Sequence, residues 1–333
     1  MKHKILYVER KPFESVSIEK AFRQIAANLS DDFEVRFQHL PYGNRFSDTV
    51  RNLLFFRKRP SDIYHITGQV HYISLLFSPA NTVLSIMDVR FLYRKPGLRR
   101  WLLKKLYLNW PLRRLDFITA ISEQTKQEII RYTRCPEEKI LVLDLPLITT
   151  IETGESSAFN ALQPTILQVG TMENKNIPNL AKALEGISCK LRIIGVLSPD
   201  QVTALTQTNI EYENAQGLSD EQLGDEYRAA DIVAFCSTYE GFGLPIIEAQ
   251  AMKKPVITSN LSPMIETSGG AAYLADPLDF LSIRAGVAKI ISDEDYRKKL
   301  IEDGVKNAGR FAPAVIAKQY DNLYRQIISA SAL

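Results

Sequence analysis

Twelve short apolar runs punctuate the chain, each five to seven residues long. In the first half they are KILYVE (4–9), EVRFQHL (34–40), DIYHIT (62–67), TVLSIMD (82–88), FITAIS (117–122) and KILVLDL (139–145). The second half repeats the scheme with TILQVG (165–170), CKLRIIG (189–195), IEYEN (210–214), DIVAFCS (231–237), PVITS (255–259) and AAYLAD (271–276). Runs of this length, rich in β-branched and aromatic residues, read as strands. Between them lie helical patterns, among them 17–29 and 122–133, the second opening on Ser122 as an N-cap. Strands alternating with helices predict a parallel, doubly wound sheet in each half. The polar stretch 149–164 has the composition of a linker. The expectation is therefore an α/β protein of two facing Rossmann-like domains, 1–150 and 151–311, with a cleft whose ligands meet the carboxyl ends of the strands.

Composition narrows this picture. A chain of 333 residues, 45% hydrophobic, has room for two domains of ordinary size. The opening MKHKILYVER is too short in its apolar run for a signal peptide, and no run of eighteen uncharged apolar residues follows. Three scattered cysteines, Cys135, Cys189 and Cys236, suggest neither a disulfide framework nor a metal site. A reduced, cytoplasmic setting is expected. The net charge of +3 conceals a division: residues 1–150 hold 25 Lys+Arg and 15 Asp+Glu, the remainder 16 and 23. The basic excess concentrates in 90–114, with nine Lys or Arg, no acid, and Trp101 and Trp110 among leucines. Two readings of that segment stay open. It is a docking surface for anionic lipid at the inner membrane face, or a solvated helix whose Trp and Leu pack inward. No nucleic-acid recognition motif accompanies it.

The chemistry concentrates in STYEGFGLPIIEAQ, which follows the predicted strand 231–237. Gly241 and Gly243 allow close backbone approach, and Pro245 suits the first turn of a helix whose N-terminal N–H groups face an anion. Glu240 and Glu248 would repel phosphate, so they are expected to accept hydrogen bonds from hydroxyls. Hydroxyls on both sides of a phosphate describe a nucleotide sugar. A second strand–loop–helix unit, TILQVG–TMENKN–IPNLAKALEG, sets Lys175 beside another helix N-terminus, where it could meet a diphosphate.

With these residues in view, the chain resembles a retaining glycosyltransferase of family 4, with the two-Rossmann GT-B architecture. The resemblance rests on VGTMENKN, the Glu-x7-Glu stretch EGFGLPIIE, KKPVITSN and GGAAYLADPLD. It implies that Glu240 lies by the donor sugar, that Glu248 binds the ribose, and that Lys175 contacts the diphosphate. Gly170 and the backbone of Gly241, Phe242, Gly243 and Leu244 complete the implied donor site. The helix at 314–329 resembles the family's segment that crosses back onto the first domain, making 312–333 a third division. Transfer with retention is implied, the departing phosphate being stabilised by Lys175 and a helix N-terminus, with no metal and no cofactor. In keeping with this, no His/Cys cluster at metal-ligand spacing is found. Asp88 is assigned to the catalytic set, and His71 and Arg90 to the acceptor side. The implied partners are a nucleotide sugar and a carbohydrate or lipid-linked acceptor.

Several positions depart from the family pattern. Met87 precedes Asp88 where relatives often carry histidine, Gln69 stands for an aspartate, and Leu145 for an asparagine. The loop 9–17 lacks glycines, leaving Arg10 and Lys11 as candidates for the donor phosphate. Two functions follow as alternatives: an active transferase in surface polysaccharide or glycolipid synthesis, or a degenerate member that binds nucleotide or a partner without catalysis. A nucleotide-sugar epimerase fits less well, because its acid and base cannot be located.

Overall fold

The twelve apolar runs are the twelve strands of two six-stranded sheets in a computed structural model that describes residues 2–11, 17–43, 45–94, 97–148 and 158–331. The greater part of the expected linker, 149–157, lies outside the described residues, as do 12–16 of the first loop and Lys95 and Pro96 of the basic segment. By its internal contacts the chain divides into two units: one reaches Ile148 and resumes at Ala312, and the other ends at Phe311.

The first unit contains β1 (His3–Glu9), β2 (Phe33–His39), β3 (Ile63–Ile66), β4 (Thr82–Ile86), β5 (Phe117–Ala120) and β6 (Ile140–Val142). They lie in the order β2-β1-β3-β4-β5-β6, all parallel. Every residue of β3 and β4 is buried, which is why these strands read as continuous runs and not as alternating patterns. The order reverses between β1 and β3.

The last helix, Pro313–Ser331, belongs to this unit and packs on the Ser17–Ala27 helix. It inserts Tyr320 and Tyr324 into the core, where their rings meet Phe22, Phe33 and His65. Burying an aromatic ring of this size contributes roughly 1.5–3 kcal/mol, provided the hydroxyl finds a partner. Tyr324 Oη lies 2.8 Å from Tyr7 Oη and 2.7 Å from His65 Nδ1. His65 Nε2 continues to Ser85 Oγ at 2.7 Å, and Ser85 Oγ to Thr119 Oγ1 at 2.6 Å. A relay of hydroxyls and one imidazole thus crosses four strands. Burial holds the His65 imidazole neutral, pushing its pKa down to about 3.

The second unit contains β7 (Thr165–Val169), β8 (Lys190–Ile194), β9 (Tyr212–Ala215), β10 (Ile232–Phe235), β11 (Val256–Ser259) and β12 (Tyr273–Ala275). Their order is β12-β11-β10-β7-β8-β9, again all parallel. The chain moves outward from β7 in one direction and returns on its other side at β10, so the order reverses between β7 and β10. A reversal of this kind leaves a crevice at the carboxyl ends of the two central strands.

Candidate functional site

The loops that follow β7 and β10 meet at that reversal. After β7 the chain turns through Gly170, whose φ of 88° is open to glycine, and reaches Lys175 in a short 3-10 turn, Glu173–Lys175. A Cβ on Gly170 would lie 2.8 Å from Lys175 Cε, so this position is glycine also because the lysine stem lies against it. After β10 the chain runs through Glu240 to Gly243, whose φ of 113° starts the Leu244–Ala251 helix with Pro245 in its first turn. The positive dipole end of that helix therefore lies where the two loops meet, although Pro245 has no N–H and the Ile246 N–H donates to the Gly243 carbonyl at 2.9 Å.

Lys175 Nζ donates to Glu240 Oε1 at 2.8 Å, and stands 4.2 Å from the centre of the Phe235 ring. Both members of the pair are largely buried, with side-chain exposures of 9% and 14%. A buried cation with one carboxylate and one aromatic face around it is costly to leave unpaired. Asn174 completes the clasp: its Nδ2 donates to Glu240 Oε1 at 3.0 Å and to the Tyr239 carbonyl at 2.7 Å, while its own carbonyl accepts from Thr238 N–H at 2.8 Å. Asn174 thus ties one loop to the other. Sequence reasoning passed over it, although it sits beside Lys175, because an asparagine in a loop reads as turn chemistry.

Glu248 lies one turn further along the helix and is also largely buried, with Tyr227 Oη donating to its Oε2 at 2.7 Å. Burial and the adjacent carboxylate hold the Tyr227 proton well above its usual range. Phe242 is buried and packs edge-on against Phe311, and its carbonyl accepts from Thr267 Oγ1 at 2.9 Å. Asn176, in the left-handed region, caps the junction by donating to the carbonyls of Cys236 at 3.1 Å and Pro277 at 2.6 Å. The structure therefore brings Gly170, Lys175, Glu240, Gly241, Phe242, Gly243, Leu244 and Glu248 onto two adjoining loops and one helix of a single unit. The arrangement offers an ammonium and the positive end of a helix for an anion, with two carboxylates for hydroxyls.

In the first unit the candidates are arranged otherwise. Asp88, after β4, accepts from Arg90 N–H at 2.9 Å, so its carboxylate caps the turn that follows. Gln69 Nε2 lies 3.4 Å from Asp88 Oδ2. An aspartate at position 69 would bring two carboxylates together there, which gives the departure a physical sense. Met87 and Leu145 are buried. Arg10 is held by Glu19 through Nε at 2.7 Å and Nη2 at 3.3 Å.

His71 requires a correction. It was expected on the acceptor side, but it is 1% exposed and lies in the interior of the unit. Its Nδ1–H donates to the Tyr107 carbonyl at 3.0 Å. Pro111, four residues after Tyr107, has no N–H to return to that carbonyl, and the helix at that point is wound as a π-turn, Lys105–Asn109. His71 supplies a donor to the helix there, and burial pushes its pKa down to about 4. Of the reading in which Trp and Leu of 90–114 pack inward, Leu108 and Leu112 do enter the core, whereas Trp101 and Trp110 are each about half exposed, at 54% and 51%.

Residues 151–307 match the family model described as "Glycosyl transferases group 1". Over 229 residues the chain is 29% identical to O-antigen chain mannosyltransferase B of Escherichia coli, covering 62% of this chain and 60% of that protein. Over 237 residues it is 25% identical to the capsular polysaccharide biosynthesis glycosyltransferase CapM of Staphylococcus aureus, covering 64% and 62%. The match thus spans about three fifths of the length of either relative. Among solved structures, sucrose-phosphate synthase from Thermosynechococcus elongatus superimposes with a TM-score of 0.77 at 18% identity, covering 99% of this chain and 100% of that one. Anabaena Alr3699/HepE, solved in complex with UDP and glucose, gives 0.75 at 16% identity, covering 97% and 100%. The two parallel six-stranded sheets share the two-domain fold of these structures, and residues 151–307 match the group 1 glycosyltransferase model.

Proposed function

We propose that the chain is a retaining, metal-independent glycosyltransferase of family 4, which moves a sugar from a nucleotide-diphosphate sugar to an acceptor hydroxyl in polysaccharide or glycolipid synthesis. The observation that carries this reading is the joining of Lys175 to Glu240 beside the N-terminus of the Leu244–Ala251 helix, where the strand order reverses. The relatives named for mannosyl transfer and capsule synthesis support the same reading.

In this reading the donor diphosphate seats on the helix N–H groups, and Lys175 turns part of its charge from Glu240 to the phosphate. Glu240, relieved of its cation, accepts from a sugar hydroxyl, and Glu248 accepts from the ribose. As the bond between the anomeric carbon and the phosphate oxygen breaks, negative charge collects on that oxygen. Lys175 and the helix amides already face it, so little reorganisation is needed at the moment of bond breaking. They also provide the positive charge that a divalent cation would supply elsewhere. The acceptor approaches the face from which the phosphate departs and gives that phosphate its proton. Asp88 and Arg90 are assigned to the acceptor side, and residues 90–114 to peripheral contact with the inner membrane face, where a lipid-linked acceptor would lie.

One observation favours the alternative of a non-catalytic member. Met87 is buried and apolar at the position where a protonatable group would be expected beside the sugar. Titration calorimetry with UDP, GDP and ADP, followed by donor hydrolysis with the sugars of the winning base, separates the two. Glu248→Ala should weaken nucleotide binding by about 1.5–3 kcal/mol. Unchanged affinity would remove Glu248 from the ribose, and nucleotide binding without sugar release, acceptor present, would favour the non-catalytic reading.

A further inference from the structure

The Phe46–Phe55 helix and the Gly97–Lys104 helix of the first unit enclose a groove of about 500 Å3. Phe46 and Thr49 form one wall, and Leu98, Leu102, Leu106 and Tyr107 the other. Its hydroxyl groups are engaged: Thr49 Oγ1 donates to the Arg45 carbonyl at 3.4 Å and lies 3.5 Å from Tyr107 Oη. The lining therefore offers carbon and little else, so a guest gains from being hydrocarbon.

The rim is more unusual than the floor. Leu98 is 73% exposed and Phe46 65%; Leu54 and Phe55 on the first helix, Trp101 on the second and Trp110 just beyond it are also more than half exposed. Apolar side chains so exposed on two neighbouring helices mark a surface that is covered in use. Charge indicates what covers it. Residues 41–115 contain 14 Lys or Arg and 3 Asp, and Arg45, Arg51, Arg100, Arg113 and Arg114 are exposed. Two copies of such a surface would repel each other, whereas an anionic lipid surface attracts each nearby cation by about 1 kcal/mol.

We infer that these two helices form one docking surface for an anionic phospholipid bilayer, in which a lipid hydrocarbon chain enters the groove between Phe46 and Leu98. The inference deepens the peripheral contact proposed for residues 90–114. It adds the Phe46–Phe55 helix, outside that segment, and gives the contact a site for a single chain. Lysine and arginine stems on the flanks reach the headgroup phosphates while the tryptophans sit at the level of the glycerol.

The chain's two tryptophans are Trp101, on the Gly97–Lys104 helix, and Trp110, just after it in the same basic segment; each is about half exposed, so intrinsic fluorescence reports on this part of the molecule. The full chain would be titrated with vesicles of equimolar dioleoyl phosphatidylglycerol and phosphatidylcholine, with phosphatidylcholine vesicles, and with vesicles whose acyl chains carry bromine. The expected result is a blue-shifted emission, quenching by the brominated chains, and at least tenfold tighter binding to the anionic vesicles. Phe46→Asp should weaken that binding at least tenfold, with Phe46→Leu binding like the parent. Nucleotide affinity is measured on each variant, so that loss of lipid binding is read separately from loss of fold or of the donor site. Unaltered emission with every vesicle would overturn the proposal. So would parental binding by Phe46→Asp, or a dimer that this substitution dissolves while vesicles leave the emission unchanged.

Discussion

Each unit is built on a sheet of six parallel strands, yet their polar groups are distributed in opposite ways. In the first, hydroxyls and an imidazole are buried within the sheet, from Tyr7 through Tyr324 and His65 to Thr119. Met87 and Leu145, at its strand ends, are apolar and buried. In the second, the charged pair Lys175–Glu240 sits at the carboxyl ends of β7 and β10, beside a helix N-terminus. One unit thus uses polar side chains to fix its own packing, and the other holds them in pairs that a ligand could exchange. A fold alone does not decide where chemistry is placed; the loops at the reversal of strand order do.

The comparison can be tested from either side. Tyr324→Ala should destabilise the first unit most, by about 3–5 kcal/mol, since it opens a cavity and leaves Tyr7 and His65 short of a partner. Urea unfolding followed by tryptophan emission reads this unit, because both tryptophans lie in it. The emission midpoint should move to lower urea while the second unit retains nucleotide affinity. Loss of both together would mean that the units do not keep their roles apart.

Lys175→Ala should act on the other side. It removes the cation proposed to meet the departing phosphate, and donor turnover should fall about 10²- to 10³-fold. The urea midpoint of the tryptophan emission should stay where it was. Equal turnover by the variant would exclude Lys175 from the reaction.

A third effect is one of pH. Buried His65 and His71 stay neutral down to about 3 and about 4, against an ordinary 6.5. Below pH 6.5 the unfolded chain takes up protons that these folded side chains refuse. The contribution is therefore complete above pH 6.5 and is lost as pH falls toward 4, by about 1.4 kcal/mol per pH unit for each histidine. His65→Gln should flatten the acid limb of the stability profile, measured by urea midpoints between pH 7 and 4. An unchanged slope would mean that His65 is already charged in the folded protein.

Much of the fold was legible because parallel strands covered on both faces keep long apolar runs, as in TVLSI and IVAF. Lys175 and Glu240 could be placed on loops after strands, since strand ends and glycines mark such loops. Their direct bond, and the part of Asn174 in it, depends on two loops 65 residues apart meeting at one crevice. His71 could not be read correctly. Its partner is a carbonyl whose usual donor Pro111 lacks, and side-chain patterns carry no trace of backbone need. The groove was equally hidden, because Phe46 and Leu98 are neighbours only once both helices have packed.

The last helix completes the core of the first unit, while everything from the end of the linker to Phe311 belongs to the second. On the ribosome this inverts the order of completion. The first sheet is synthesised early but must wait, its β1 and β3 uncovered, until Tyr320 and Tyr324 emerge some 180 residues after β6 has been made. The second unit, whose residues are contiguous, can close before then. A ribosome that stops short of the last twenty residues would release a chain with its second unit finished and its older first unit still open.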